Sequence, residues 1–221
     1  SSDLDPRRLF KDVPALLRRG QQHRIDLSLL DEQTETIYDR FTKLATEVLK
    51  TSVSLISMVA EDHQFFKSQF GLTGQVAKER NTPLSHSFCK HVVATNEPLI
   101  VENAPEHPIV HDNLAIRDMN VMSYLGMPLT LNDGTRLGSF CVLDTQPKKW
   151  KKIDLAIMKE LSEIITTEFD ARALTYLDQS RQPELDSIRE RTESLLHKLD
   201  TSLPKRQFLT QLRTARREYK V

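Results

Sequence analysis

The chain has 221 residues, of which 38% are hydrophobic and 28% are charged. Its 31 Lys and Arg residues equal its 31 Asp and Glu residues, and this balance argues against a surface dedicated to nucleic acid. No stretch approaches the ~18 consecutive apolar residues of a membrane-spanning helix, and two cysteines are too few for a disulfide framework. We therefore expect a globular, cytoplasmic protein.

The N-terminal part of the chain predicts helices followed by a β-hairpin. Residues 1–30 carry many charges, two prolines and one glycine, which favours a short helix and a connector. Asp31 or Thr34 can cap the amphipathic helix that follows. Its apolar residues recur at steps of three and four: they are Ile37, Phe41, Leu44, Ala45 and Val48. Residues 51–60 and 64–70 are rich in β-branched and aromatic residues, so they predict two antiparallel strands.

The middle of the chain alternates irregular segments with strands. Residues 86–94 predict a short helix that Ser85 caps, and residues 98–103 predict a strand. Residues 123–131 and 136–144 predict a second hairpin. An Asn-Asp-Gly-Thr sequence lies between these two strands, and Asp-Gly tolerates the positive φ angles of a tight turn.

Alternation of side chains divides two of these strands into faces. In the first strand, one face carries Val53, Leu55, Ser57 and Val59. In residues 136–144, one face carries Phe140, Val142 and Asp144, and the other carries Ser139, Cys141 and Leu143. The pattern leaves open which of the two faces meets a pocket.

The C-terminal part predicts two further helices. Residues 150–177 form a long helix with an apolar stripe of Ile153, Ile157, Leu161, Ile165 and Phe169, and Pro183 follows it. A heptad-like run then comprises Leu185, Ile188, Thr192, Leu195 and Leu199, and Pro204 ends it. We expect the first stripe to pack on the sheet and the heptad-like run to be available to a partner chain.

The order of elements predicts how the layers are arranged. Tight turns between strands indicate an antiparallel sheet with amphipathic helices on one face. The irregular segments 71–97 and 104–122 are left to cover the other face. A sheet face roofed by loops is a place where a small-molecule pocket forms.

Several short motifs occur in a fixed order. They are Ser-Phe-Cys at 87–89, Glu-Pro-Leu-Ile-Val at 97–101, Tyr-x-Gly-x-Pro-Leu at 124–129 and Leu-Gly-Ser-Phe-Cys-Val-Leu-Asp at 137–144. With them, residues 25–177 resemble the GAF domains of bacterial signalling proteins. The resemblance implies an α+β fold of the α/β sandwich type. Its central antiparallel sheet has about six strands, with N- and C-terminal helices on one face and a loop-roofed pocket on the other.

The resemblance does not identify a ligand, because GAF domains bind cyclic nucleotides, haem, bilins or small metabolites and some only dimerise. The Asn-Lys…Phe…Asp-Glu pattern of cyclic-nucleotide members is not found here. Cys89 is followed by Lys90, which departs from the Cys-His pair of bilin-binding members. Free methionine sulfoxide reductases of this fold use several active-site cysteines, and this chain has two. The cofactor therefore stays unknown.

The candidate ligand-binding residues are aromatic and polar side chains of the predicted pocket. They are Phe66, Ser87, Phe88, Cys89, His111, Asp112, Tyr124, Phe140 and Asp144. Ordinary core packing is the alternative interpretation for about half of them. We predict no catalytic residue and no metal site.

Two groups of residues are candidates for a more specific chemistry, namely thiol redox chemistry and metal binding. Cys89 lies near a predicted helix N-terminus, which lowers a thiol pKa and is typical of a redox sensor. The alternative is a small buried packing residue, and Cys141 is predicted to be core. His107 and His111 have the spacing of two metal ligands on one helical turn. Pro105 and Pro108 disfavour a regular helix there, so loop histidines are the preferred interpretation.

We predict three domains: an N-terminal helical extension at 1–24, a GAF-like sensory domain at 25–177 and a C-terminal helical, coiled-coil extension at 178–221. The predicted function is non-catalytic: the domain binds a small ligand or signal and transmits it through terminal helices. The alternatives are a thiol-based redox sensor or reductase using Cys89, and a ligand-free dimerisation scaffold. Signalling GAF domains often pair through their first and last helices, so we expect a homodimer. Residues 199–212 resemble the start of a diguanylate cyclase domain, which predicts a C-terminal output domain or partner.

Overall fold

A computed structural model of the protein describes residues 36–219, with the side chains of residues 36–217. The predicted extension at 1–24 and the candidate caps Asp31 and Thr34 lie outside the described residues. The described helices are α1 Thr36–Leu49, α2 Gly74–Glu79, α3 Cys89–Thr95, α4 Leu114–Met119, α5 Lys152–Leu177, α6 Gln182–Lys198 and α7 Lys205–Tyr219. The strands are β1 Val53–Val59, β2 His63–Phe70, β3 Asn81–Pro83, β4 Leu99–Val101, β5 Ser123–Thr130 and β6 Arg136–Asp144.

The six strands form one antiparallel sheet in the order β3-β2-β1-β6-β5-β4. The two predicted hairpins are β1–β2 and β5–β6, and the sheet joins them through a β1–β6 pairing. Ser57 lies opposite Ser139 in that central pairing, and Leu55 lies opposite Cys141. The predicted α+β architecture with a six-stranded antiparallel sheet is confirmed.

Alternating side chains build a separate hydrophobic core on each face of the sheet. On one face, which we call the helix face, Ile56 and Phe140 pack with apolar residues of α1 and α5. On the other, the roof face, Leu55 and Cys141 pack with residues of α3, α4 and the loops around them. The predicted division between terminal helices and irregular segments is therefore correct.

Helices α6 and α7 belong to the helix-face core. The heptad-like residues Leu185, Ile188 and Leu195 are buried within the chain, together with Phe208 and Leu212 of α7. The prediction that the heptad-like run is available to a partner chain is therefore wrong for these three residues. Heptad spacing specifies an apolar stripe, and it does not specify whether the stripe packs within one chain or between two.

Hydrogen bonds show which side chains stabilise two predicted features, the start of α3 and the β5–β6 turn. The Ser87 hydroxyl, rather than that of Ser85, accepts the backbone N–H of Lys90 in the first turn of α3, at 3.0 Å. In the β5–β6 turn, Gly134 has a φ of +88°, and the Asp133 carboxylate accepts the Thr135 N–H at 2.8 Å. Over residues 36–219, no helix combines the length and apolar character that crossing a membrane requires.

Candidate functional site: a buried polar network on the roof face

A row of buried polar side chains crosses the roof face of the sheet, a position that apolar side chains usually fill. Thr82, Gln64, Ser57 and Ser139 come from β3, β2, β1 and β6, four neighbouring strands, and all four are buried. Ser87, just before α3, and Tyr124 of β5 are buried beside this row. We call these six residues the polar network.

Gln64 is the hub of the polar network. Its Oε1 accepts hydrogen bonds from the hydroxyls of Ser57, at 3.0 Å, and Ser87, at 2.6 Å. Its Nε2 donates to the Thr82 Oγ1 at 2.7 Å. Because a buried polar group without a partner costs about 1–3 kcal/mol, these bonds make the burial of an amide tolerable.

Ser87 connects the polar network to the roof. Its hydroxyl donates to Gln64 while accepting the N–H of Lys90 in α3. Its carbonyl accepts the Asn113 Nδ2 at 3.1 Å, and the Asn113 Oδ1 caps α4 by accepting the Ala115 N–H at 3.0 Å. A continuous chain of hydrogen bonds therefore runs from the sheet to the start of α3 and to α4.

Tyr124 closes the other end of the polar network. Its hydroxyl donates to the Cys89 Sγ at 3.3 Å and lies 3.1 Å from the Ser139 hydroxyl. Its ring packs against Phe88, with ring centroids 5.5 Å apart. Burial raises the pKa of Tyr124 well above its ordinary value, so the phenol stays protonated and can donate.

The two cysteines of the chain meet beside Tyr124. The Sγ atoms of Cys89 and Cys141 are 3.8 Å apart, and both cysteines are buried, free thiols. The Cys141 thiol and the Tyr124 hydroxyl hydrogen-bond to the Cys89 sulfur, and these bonds lower the pKa of Cys89 against the opposing effect of burial. Burial raises the pKa of Cys141 well above its ordinary value. The two thiols are therefore chemically unequal.

Titratable side chains gather on α3 and the loop beside it. Burial lowers the pKa of His91 to about 4, and the positive charge of Lys90 acts in the same direction. Burial also lowers the pKa values of Lys90 and His107, while the Asp112 carboxylate partly offsets the shift at Lys90. His91 is therefore neutral at neutral pH.

The structure brings together five of the nine candidate ligand-binding residues. Phe66, Ser87, Phe88, Cys89 and Tyr124 are all buried on the roof face or directly above it. Their role in binding a ligand remains a prediction.

The other four candidates lie elsewhere. Phe140 belongs to the helix-face core, on the opposite side of the sheet from Tyr124. Asp144 ends β6 and accepts the Ser52 hydroxyl at 2.7 Å, and His111 and Asp112 are exposed. Phe140 therefore cannot line the same pocket as Tyr124, because the sheet separates them. Among the described residues, no three potential ligands are grouped around a metal position.

The candidate residues did not include Ser57, Gln64, Thr82, Ser139 or Asn113. The signal was present for Ser57 and Ser139, because alternation placed each on one face of its strand with apolar neighbours. Two serines at inward positions of neighbouring strands indicate a polar interior. Gln64 was harder to find because it directly follows the polar residues 61–63, and its burial depends on the pairing with β3.

The match to a known family agrees with this architecture. Residues 33–169 match the sequence profile of the GAF domain family, which is more than half of the chain. The chain belongs to the GAF domain family, whose members are generally sensory and regulatory domains.

One curated relative is the cyclic di-GMP phosphodiesterase PA2567 of Pseudomonas aeruginosa. It is 27% identical over 156 residues, which are 69% of this chain. The chain spans only 26% of the length of that relative, so the phosphodiesterase activity of the whole protein is not transferred by this match.

Two solved structures share the fold of this chain. The blue-light absorbing form of the Thermosynechococcus elongatus PixJ GAF-domain superposes with a TM-score of 0.54 at 15% identity, covering 71% of this chain and 94% of that one. The free methionine-R-sulfoxide reductase of Neisseria meningitidis superposes with a TM-score of 0.51 at 16% identity, covering 79% and 96%. At these identities the similarity shows the fold alone.

Proposed function

We propose that this chain is a non-catalytic sensory domain that binds a small ligand at the polar network and transmits binding through its terminal helices. The observation that supports this most strongly is the row of buried hydroxyl and amide groups across four strands of the roof face. Hydroxyl and amide groups are the polar groups that orient a ligand in a pocket.

The construction of the roof favours ligand entry. Helices α2, α3 and α4 have six or seven residues each, and loops join them. Helix α2 has no buried residue, and an element with few buried contacts opens locally at low free energy. A ligand with donor and acceptor groups can replace the hydrogen bonds that Gln64 makes with Ser57 and Ser87 when the roof opens.

The two faces of the sheet share the same strands, which provides a route for transmission. In β1, Ile56 contacts the helix-face core while its neighbour Ser57 belongs to the polar network. In β6, Phe140 and Ser139 have the same relationship. A displacement of β1 and β6 by a ligand therefore also moves the surface on which α1 and α5 pack.

Several finer properties belong to the same proposal. The relationship to a cyclic di-GMP phosphodiesterase supports an output domain or partner enzyme that acts on a cyclic dinucleotide. Two free thiols side by side support a reducing, cytoplasmic location. Signalling through terminal helices supports a homodimer, and the exposed Leu174, Tyr176 and Leu177 near the end of α5 offer an apolar surface for one.

Native mass spectrometry of the protein, purified and then incubated with a cell extract, tests the ligand. We expect a discrete and removable extra mass on the wild type and on a Gln75→Leu control, because Gln75 is on α2 and bonds to exposed Glu79. We expect a Gln64→Leu variant to lose the extra mass while keeping its circular dichroism spectrum. A Gln64→Leu variant that retains the ligand would place binding elsewhere, and a wild type that stays unliganded would favour the dimerisation scaffold.

A further inference from the structure

The two cysteines come from separate parts of the chain and meet in the roof-face core. Cys89 is the first residue of α3 and Cys141 lies in β6, 52 residues later, yet their sulfur atoms are 3.8 Å apart. Both side chains are almost completely buried, at 2% and 0% exposure. A disulfide bond requires the sulfur atoms to approach to about 2 Å. The two sulfur atoms must therefore come closer by roughly 2 Å to form this bond.

We propose that Cys89 and Cys141 are a redox-active pair that a hydroperoxide, such as hydrogen peroxide, oxidises to an intramolecular disulfide. Cys141 is held rigidly because β6 pairs with β1 on one side and β5 on the other. Cys89 is on a seven-residue helix of the roof, so it is the thiol that moves. This inference does not depend on the ligand proposed above.

The reaction proceeds in two balanced steps. The Cys89 thiolate attacks one oxygen of the peroxide, the O–O bond breaks, and the sulfur becomes a sulfenic acid while the other oxygen leaves as water after taking up a proton. The Cys141 sulfur then attacks the sulfenic sulfur, and the S–O bond breaks to release a second water. In total, two thiols lose two electrons and two protons, and one peroxide is reduced to two waters.

The surroundings of the two thiols assign their order of reaction. The thiolate is the attacking form, and hydrogen-bond donors directed at a sulfur stabilise it. The Tyr124 hydroxyl donates to Cys89, which favours Cys89 as the first thiol to react. Cys141 is surrounded by strand residues and reacts second.

The disulfide would fasten the roof to the sheet. At present, α3 is held to the strands through the hydrogen bonds of Ser87, through those that Arg136 of β6 donates to the Val93 and Ala94 carbonyls, and through apolar contacts. A covalent bond between α3 and β6 restricts the movement of the whole roof and slows amide hydrogen exchange in α3.

Mass spectrometry of the folded wild type tests the proposal directly. The reduced protein is treated with hydrogen peroxide, remaining thiols are alkylated, and the intact mass and a non-reducing tryptic map are recorded. We expect a loss of two hydrogen atoms per chain. Trypsin cleaves after Lys and Arg, so the map should contain peptides 81–90 and 137–148 joined by a disulfide.

Two variants serve as controls for the order of the steps. Cys141→Ala should stop at the sulfenic acid on Cys89, which a 1,3-diketone traps, and Cys89→Ala should give no such adduct on Cys141. Crosslinks between two chains, overoxidation of Cys89 with Cys141 still alkylatable, or both thiols remaining reduced in the folded protein would each overturn the proposal. The wild-type peptide map decides the question even where a variant does not fold.

Discussion

At the residue scale, the Tyr-x-Gly motif at 124–126 has a steric cause. Tyr124 and Gly126 are two residues apart on β5, so they lie on the same face, and the tyrosine side chain extends over the glycine. A Cβ atom added to Gly126 would lie 2.2 Å from the Tyr124 hydroxyl oxygen. The glycine therefore leaves the space in which the hydroxyl reaches Cys89 and Ser139.

We predict that Gly126→Ala lowers the free energy of unfolding by about 1–3 kcal/mol, because it overpacks a buried site. Guanidinium denaturation measures this loss. In a Tyr124→Val background, Gly126→Ala should lower the free energy of unfolding by clearly less, because valine does not occupy the space that the added Cβ atom needs. Equal costs in both backgrounds would mean that Gly126 acts through its backbone and not through Tyr124.

The neutral state of His91 gives a second prediction at this scale. The pKa of His91 is about 4 in the folded protein, against about 6.5 for an unperturbed histidine. The unfolded chain therefore binds the proton more tightly. The contribution of His91 to stability is complete above about pH 6.5, and it is lost as the pH falls to about 4, by an amount on the order of 3 kcal/mol.

We expect His91→Leu to reduce the slope of unfolding free energy against pH between pH 6.5 and 4. The neighbouring charged groups are Lys90, Asp112 and His107, and all three are unchanged in this variant. His63→Leu is the matched control, since His63 is an exposed histidine at the start of β2. A His91 variant with the same slope as the wild type would show that other groups account for the pH dependence.

At the scale of elements, periodicity predicted which residues are apolar and where most elements lie. Alternation and turn chemistry located β6 and the Asp-Gly turn correctly, because these depend on local backbone geometry. Periodicity did not predict which element each apolar face packs against. Phe140 and Tyr124 were assigned to one pocket although they face opposite layers, because alternation gives two faces without saying which is which. The β5–β6 register decides this, because Tyr124 lies opposite Leu143 while Phe140 lies opposite Met127.

Because α6 is buried in the helix-face core, truncating its apolar side chains should lower the stability of the protein. Leu195 is 3% exposed and packs within the helix-face core, whereas Leu177, at the end of α5, is 75% exposed. We predict that Leu195→Ala costs about 2–5 kcal/mol of unfolding free energy. In the monomer, at the lower protein concentration, Leu177→Ala should stay within about 0.5 kcal/mol of the wild type. Urea denaturation at two protein concentrations measures both variants.

The dependence of unfolding on protein concentration distinguishes packing of α6 within one chain from packing of α6 between two chains. If Leu195 packs inside one chain, its variant is destabilised to the same extent at both concentrations. If Leu195→Ala instead leaves the monomer stable and only weakens a dimer, the buried position of α6 described above is incorrect for the protein in solution.

At the scale of the whole molecule, the C-terminal helix is held to the sensory domain by charges as well as by apolar contacts. Lys205, the first residue of α7, places its Nζ 2.5 Å from the Asp154 Oδ1 in the first turn of α5, and Asp154 is buried. Further along, Arg213 and Arg216 of α7 bond to Glu160 of α5. Helix α7 is therefore bonded to α5, and α5 packs directly on the sheet. A displacement of α5 also moves α7.

We predict that Lys205→Met loosens α7 without unfolding the sheet. The substitution keeps most of the side-chain volume but removes the cation, so the buried Asp154 carboxylate is left with the Lys151 N–H, 2.9 Å away. Leaving a buried charge without its counter-ion is destabilising, here by about 1–3 kcal/mol because Lys205 is partly exposed. Amide hydrogen exchange of α7 should accelerate, while exchange in β1 and β6 should not. Lys159→Met is the matched control on the exposed side of α5 and should leave both rates unchanged. Acceleration across the sheet as well would mean that α7 and the sensory domain unfold as one unit, and then α7 could not move independently to carry a signal.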